Sequence, residues 1–282
     1  MCLIAFAIHA SDRWPLVVAS NRDEFLDRPT LPLSNWKTES SQRILSGRDV
    51  RAGGTWLGAT PGGRVAFVTN VRQAQPQAAA RSRGELVTRW LESGLDGASF
   101  AAALAAESAD YGGFNLVFGD FQRQDWTWAS NRSACGLGTG WQSQVLLPGI
   151  YGLSNAQLDT PWPKTIELKR TLTAALNAAT DDDLLLQNRL WAALANPETA
   201  PEALWPATGI PPALEKALSS AFVTSPDHAY GTRSSTLLIA STARELGGAQ
   251  CWDVSIEEKT YDHATAATHL QRYPLCWQQA TS

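Results

Sequence analysis

The 282-residue chain lacks the features that mark several large classes of protein. Charged residues make up only 18% of it and hydrophobic residues 44%, which excludes an intrinsically disordered chain. A net charge of −4 provides no basic surface, so we expect no nucleic acid among its partners. Because no run of about 18 uncharged apolar residues occurs, we also expect no integral membrane association.

Metal-ligating and sulfur-containing residues are few and scattered. The four histidines have no metal-ligand spacing, and no phosphate-binding loop, dinucleotide-binding motif, H-E-x-x-H or G-x-S-x-G is present. We therefore expect no metal site. The apolar segment 3–10 lacks the basic residues of a signal peptide. We accordingly expect a cytoplasmic protein in which Cys2, Cys135, Cys251 and Cys276 are free thiols.

The predicted elements run in the order strands, helices, strands, helices, strands. Short apolar runs predict strands at 2–9, 15–20, 55–60, 64–71, 114–119, 125–130, 150–154, 235–241 and 250–257. Two helices are predicted over 84–95 and 99–108, and the proline-rich stretch 197–212 is predicted to be a loop. This order predicts an α+β fold in a single domain over residues 1–282, with helices covering sheets.

Two further helices are predicted from their start signals and apolar stripes. The first has Thr160 as N-cap and Pro161 as its first residue. Its apolar face is predicted to contain Ile166, Leu168, Leu172, Ala175 and Leu176. The second opens with the acidic run 181–183, and its stripe contains Leu186, Leu190 and Leu194.

Cys2 is the residue that most directly suggests chemistry. The initiator methionine is commonly removed when the second residue is small, as Cys2 is. Removal of Met1 would make Cys2 the N-terminal residue, with a thiol and an α-amine on adjacent atoms. The amine titrates at ~7.7–8.0 and can accept the thiol proton, which places nucleophile and base in one residue. The alternative is a small residue that packs at the start of a strand.

Other polar residues stand where apolar strands end or begin. Asp23 could hold the α-ammonium group of Cys2, and Arg22 could favour its thiolate. Asn70 and Asn155 each follow an apolar run, and Arg233 directly precedes one. The alternatives are a solvated turn for the charged pair, caps for the asparagines and a surface position for Arg233.

Four segments together resemble a known family over about residues 1–260. They are Met1–Ile4, Ser20–Phe25, Gly53–Gly58 and Tyr230–Ser235, and they are similar to the NRDE family, also called the transport and Golgi organisation protein family. The resemblance implies an N-terminal-nucleophile hydrolase-like fold, a four-layer αββα sandwich.

Within that fold the closest chemistry is that of penicillin V acylases and bile salt hydrolases. The resemblance implies a site with the catalytic residues Cys2, Arg22, Asp23, Asn70, Asn155 and Arg233. Ligand-binding residues would be Asn21, Glu24, Trp56 and Thr69. In the acylases the arginine stands a few residues before the aspartate, whereas here Arg22 directly precedes Asp23 and Asn21 fills the earlier position.

Three functions follow as expectations. The first is hydrolysis of a non-peptide amide or an acyl thioester by Cys2, which needs no cofactor. The second is a carrier without turnover for haem, acyl-CoA or a lipid, because members of the family are linked to haem trafficking and lipid handling. The third is a structural or interaction protein. For the first two, the partner is a small acyl, lipid-like or haem ligand, and the abundant tryptophans (Trp14, Trp36, Trp56, Trp141 and Trp162) suggest an apolar cleft.

Overall fold

A computed structural model describes residues 2–75, 79–132, 139–242, 245–246 and 249–278. The strands in these ranges are Cys2–Ile8 (β1), Leu16–Phe25 (β2), Thr30–Lys37 (β3), Arg43–Asp49 (β4), Leu57–Ala59 (β5), Arg64–Asn70 (β6), Phe114–Asp120 (β7), Asp125–Arg132 (β8), Thr139–Val145 (β9), Gly149–Leu153 (β10), Thr224–Ser225 (β11), Tyr230–Ser241 (β12), Glu245–Leu246 (β13), Ala249–Asp262 (β14) and Ala267–Gln278 (β15). The α-helices are Arg83–Glu92 (α1), Gly97–Glu107 (α2), Pro163–Ala179 (α3), Asp183–Leu194 (α4) and Pro212–Ala217 (α5).

The strands of the described ranges form two antiparallel sheets. The first has eight strands in the order β10-β1-β2-β12-β14-β13, with β11 paired to β12 and β15 to β14. The second has seven, in the order β3 to β9. In the first sheet β2 lies between β1 and β12, so the chain start, the charged 20–25 segment and the 230–235 segment are neighbours.

Three apolar clusters hold the layers together. The largest fills the space between the two sheets and includes Phe6 and Phe67, whose rings meet edge to face at 5.1 Å. A second lies between the first sheet and α3 and α4, and a third lies between the second sheet and α1 and α2. The predicted α+β fold with an αββα sandwich is confirmed.

The helical stripes agree with the sequence except at one residue. In α3 the side chains of Leu168, Leu172 and Leu176 are buried, whereas Ile166 is 51% exposed. Two helical residues subtend about 200°, so Ile166 points away from the face that contains Leu168. The predicted start was also wrong, because α3 has Trp162 as N-cap and begins at Pro163.

The stripe of α4 is confirmed, since Leu186, Leu190 and Leu194 are fully buried. Asp182 caps α4 by accepting a hydrogen bond from the Leu185 amide at 2.9 Å. The proline-rich stretch 197–212 is a loop apart from one short helical turn at Glu202–Leu204 and the first residue of α5.

Four longer strands were not predicted, namely β3, β4, β9 and β15. Of these, β3 is mostly half-buried or exposed and β15 is largely exposed, and both are partly polar, so they lack the apolar runs used to recognise strands. β2 also extends through the charged 20–25 segment, and β12 begins at Tyr230 rather than at residue 235.

The expectation of four free thiols was wrong for two of them. Cys251 of β14 and Cys276 of β15 form a disulfide, with Cα atoms 6.0 Å apart. They are 25 residues apart in sequence, and only the pairing of the two strands brings them together. Cys2 is a buried free thiol, and Cys135 lies outside the described residues. Within the described ranges, every helix is too short or too polar to span a membrane.

Candidate active site

A cleft of about 460 Å³ opens at the start of β1 and the end of β2. Its wall contains seven of the ten residues proposed from the sequence, namely Cys2, Arg22, Asp23, Glu24, Trp56, Thr69 and Asn70. They come from four separate stretches of the chain, and the pairing of β1 with β2 sets Cys2 directly opposite Arg22. The cleft is therefore the place where most of the predicted site residues converge.

Strand alternation divides the charged cluster of β2 between the two faces of the sheet. Arg22 lies on the face toward the second sheet, where its guanidinium stacks on Trp56 at 4.2 Å. Asn21 lies on the helix-covered face, where its amide donates to the carbonyls of Leu194 and Ala221. Because side chains alternate along a strand, Asp23 shares the face of Asn21.

Arg22 is a buried cation next to Cys2. It is 5% exposed and donates to Thr30 Oγ1 at 3.3 Å. Its nearest carboxylates belong to Glu24 at 3.8 Å and Asp49 at 3.9 Å, both too long for direct hydrogen bonds. Its charge is consequently only partly neutralised by close pairing.

Asp23 is held by residues of β12. Thr232 Oγ1 donates to Asp23 Oδ1 at 2.7 Å, and the Tyr230 hydroxyl donates to the Asp23 backbone carbonyl, also at 2.7 Å. Asp23 is 1% exposed. The 230–235 segment recognised in the sequence thus orients the buried carboxylate beside the chain start.

Asn70 and Asn155 are linked to each other and, through Ser154, to Cys2. Asn155 Nδ2 donates to Asn70 Oδ1 at 3.1 Å and to the Asn70 carbonyl at 3.0 Å. Ser154 Oγ donates to the Cys2 carbonyl at 3.1 Å. Since the Asn70 side-chain oxygen accepts from Asn155, the Asn70 amide nitrogen is the group left to face the cleft.

Burial decides the protonation state of Cys2. The thiol is 8% exposed, and its burial raises its pKa above the ordinary value. The Asp23 and Glu24 carboxylates raise that pKa further, whereas the Arg22 guanidinium lowers it. Burial therefore favours the protonated thiol, and attack by Cys2 requires a base that takes its proton.

Three predicted residues take other positions or partners. Arg233 borders a different cavity and donates to the carbonyls of Phe25, Leu26 and Arg28, so it supports the turn after β2 instead of the sulfur. Asn21 is fully buried against α4, away from the cleft. Thr69 borders the cleft, but its hydroxyl donates to the Ser154 carbonyl at 2.6 Å.

Of the tryptophans considered above, Trp56 borders the cleft, whereas Trp14 is fully buried in the cluster under α3 and α4. Trp36 and Trp141 pack beside the cluster of α1 and α2. Trp162 stacks on the Arg72 guanidinium at 4.6 Å.

The sequence pattern gave no indication of several charged residues around the site. Arg83, the first residue of α1, is exposed in the cleft wall. Arg72 and Glu215 form a buried ion pair at 2.5 Å, and the Arg72 amide donates to the Asn155 carbonyl at 2.7 Å. Lys164 is buried at the second position of α3. Lys164 could have been identified from the sequence, because it is a charged residue at a position otherwise expected to be buried.

A second, more apolar cavity of about 430 Å³ adjoins the cleft and shares Glu24, Asn70 and Arg83 with it. Its apolar lining includes Ile210 and Leu214. Across the ranges that the structure describes, His, Cys, Asp and Glu side chains nowhere form a group of three suited to a metal ion.

The chain is similar to proteins of one family and, in its fold, to known structures. The sequence profile of Transport and Golgi organisation 2 matches residues 1–255. The Transport and Golgi organization protein 2 homolog of Bos taurus is 36% identical over 255 residues, which cover 85% of this chain and 88% of that protein. The Homo sapiens homolog is 36% identical over 201 residues, 67% of this chain and 70% of that protein.

Among solved structures, the N-acylethanolamine-hydrolyzing acid amidase ortholog of Caenorhabditis elegans aligns with 85% of this chain and 92% of its own. The TM-score is 0.50 at 10% sequence identity, a likeness of fold. The fold is that of the N-terminal-nucleophile hydrolases, and by its sequence the chain belongs to the Transport and Golgi organisation 2 family.

Proposed function

We propose that the protein hydrolyses a non-peptide amide or an acyl thioester, with Cys2 as the nucleophile. The observation that carries the proposal is the convergence of Cys2, Arg22, Asp23 and Asn70 on one cleft. A buried thiol beside a cation, an oriented carboxylate and an amide donor is the set of groups that acyl transfer requires. The amidase with the same fold lends its chemistry as an analogy only.

The reaction begins with attack of Cys2 Sγ on the substrate carbonyl carbon. In the mature chain without Met1, a residue outside the described ranges, the Cys2 α-amine takes the thiol proton as the C–S bond forms. Asp23 holds the resulting α-ammonium group. Arg22, directly opposite on the neighbouring strand, stabilises negative charge on the sulfur.

Negative charge then develops on the carbonyl oxygen. The Asn70 amide donates to this oxygen, and Asn155 fixes the Asn70 side chain by its two hydrogen bonds. The C–N or C–S bond breaks, and the leaving amine or thiol receives the proton from the α-ammonium group. Water attacks the acyl-enzyme thioester in the second half, which releases the acid and restores the Cys2 thiol.

The adjoining cavity suggests where the acyl group lies. This cavity, here called the chamber, has an apolar wall that contains Ile210 and Leu214. Asn70 borders both the chamber and the cleft. An apolar acyl chain in the chamber would place its carbonyl carbon near Asn70 and Cys2.

The proposal also includes a cytoplasmic location for the protein.

Intact mass spectrometry after incubation with amides and thioesters of increasing acyl length tests the proposal. We expect the purified chain to lack Met1 and to gain the mass of one acyl group on Cys2. Cys2→Ala should gain nothing. Asn70→Ala should reduce turnover by about 10²–10³, whereas Asn35→Ala, at an exposed position in β3, should not. Turnover by Cys2→Ala equal to that of the wild type would refute the proposal.

The same chamber favours a second candidate, carriage of haem or an acyl ligand without turnover. The chamber has an apolar wall, excludes Cys2 and is bordered by the exposed His228, whose Nδ1 lies 2.9 Å from Ser225 Oγ and whose imidazole is of the kind that ligates haem iron. If the protein is a carrier, the wild type should form no acyl-enzyme. The Cys2→Ser variant should then bind the ligand as the wild type does. For haem in particular, His228→Ala should change the Soret spectrum of the haem-titrated protein.

A further inference from the structure

Lys164 is a buried lysine that the reaction proposed above does not use. It is 5% exposed, and its Nζ forms no hydrogen bond with the described part of the chain. Taking an ammonium group out of water is strongly unfavourable unless a nearby anion balances its charge. A nearby anion must therefore balance the charge of the Lys164 ammonium group.

The layer that contains Lys164 also contains the side chain of Asp23. Helix α3 packs on the outer face of β1 and β10, and Lys164 is its second residue. Asn21 occupies that same face of β2 through its bonds to Leu194 and Ala221. Asp23 lies two residues further along the strand, so its carboxylate is on the side of α3.

The other charges near Lys164 leave Asp23 as its principal counter-ion. Burial lowers the pKa of Lys164 to about 8, and Asp23 is the strongest of the groups that oppose this lowering. Arg72 lowers the same pKa, whereas Cys2 and Glu215 raise it by smaller amounts. Because Arg72 and Glu215 are already paired at 2.5 Å, their charges largely cancel.

We propose that Lys164 is a positioning residue of the Cys2 site, a buried ammonium group that balances the Asp23 carboxylate from the helix side of the sheet. Arg22 acts on Cys2 from the opposite face, so the two cations flank the end of β2. This role rests on the proposed function, since it has Lys164 act on the nucleophile through Asp23. By offsetting the Asp23 charge, Lys164 reduces the repulsion that a Cys2 thiolate would meet.

NMR titration of the lysine side chains tests the charge pair without reference to turnover. The chain has five lysines, so ¹³Cε signals can be assigned by substituting the other four in turn while Lys164 stays in place. We expect Lys164 to titrate near pH 8. Asp23→Asn should lower that midpoint by about one pH unit, because the neutral amide no longer attracts the ammonium group. A midpoint that Asp23→Asn leaves unchanged would overturn the proposal.

The pH dependence of Cys2 alkylation by iodoacetamide tests the effect on the nucleophile. Lys164→Met should raise the alkylation midpoint by about half to one pH unit, and Lys164→Arg should restore it because the charge is retained. Lys169→Met is the matched control on the same helix. Lys169 forms an ion pair with Asp159, with Nζ and Oδ1 2.6 Å apart, and this pair lies away from the site. Equal midpoints for Lys164→Met and the wild type would contradict the proposal. If instead Cys2→Ala kept full turnover, the hydrolase function would fail while the titration of Lys164 stayed interpretable.

Discussion

Replacing Arg22 by glutamine should raise the pKa of the Cys2 thiol. Arg22 is the cation directly opposite Cys2 in the sheet, and its charge lowers a thiol pKa that burial has raised. Glutamine keeps a polar side chain near Thr30 but removes the positive charge. It also leaves the carboxylates of Glu24 and Asp49 without this cation, which disfavours a thiolate further.

The size of the shift follows from Coulomb's law. Cross-strand neighbours have Cα atoms about 5 Å apart, so a charge separation of about 6 Å is a reasonable value. At an effective dielectric constant of about 20–40, one charge at that distance contributes about 1.4–2.8 kcal/mol, or about 1–2 pH units. Glu24 and Asp49 already offset part of the Arg22 charge, so we expect a shift of about one unit.

The assay is the rate of Cys2 alkylation by iodoacetamide as a function of pH, read by mass spectrometry of the Cys2 peptide. It needs no substrate, so it measures the thiol whether or not the enzyme is active. Arg48→Gln is the matched control, because Arg48 also stacks on a tryptophan, Trp36 at 4.6 Å, but lies outside the cleft. A midpoint for Arg22→Gln equal to or below that of the wild type would refute the electrostatic role of Arg22.

Three further outcomes follow from the fold. Leu172→Ala should lower the free energy of unfolding by about 2–5 kcal/mol, whereas Ile166→Ala should change it by less than about 0.5 kcal/mol. Equal losses of the two variants in urea unfolding would contradict the orientation of α3. Without reductant, mass spectrometry should find the disulfide between β14 and β15 closed to alkylation, with two additional labels after reduction; full labelling of both cysteines before reduction would contradict it. Gly54→Ala should lower the melting temperature, because the added Cβ would lie 2.4 Å from the backbone of α1. Gly94→Ala, whose Cβ would enter open space, should leave the melting temperature unchanged. Equal melting temperatures for the two variants would show that the contact of Gly54 with α1 is not tight.

The site residues that the sequence identified are those whose chemistry is unusual for their place in the chain. Cys2 at the start of an apolar strand and Asn70 at the end of another are such residues, and both border the cleft. The catalytic roles assigned to Cys2, Arg22, Asp23, Asn70 and Asn155 remain predictions. The relative position of Arg233 could not be read from its motif, because a side chain that follows a turn can reach carbonyls of that turn as readily as a distant sulfur.

The sequence by itself determined the strongly patterned elements and, through their order, the α+β class, because apolar periodicity depends on local spacing alone. The four-layer sandwich was implied by the resemblance of four segments to a known family. The tertiary structure decided what depends on contacts between distant segments. It extended β2 through the charged segment, so that alternation sends Arg22 to one face and Asp23 to the other. It also paired β14 with β15, which joins two cysteines without any spacing motif, and buried Lys164 at the start of α3, the helix that packs on β1. These features arise from strand register and packing, whose partners lie tens to hundreds of residues apart in the chain.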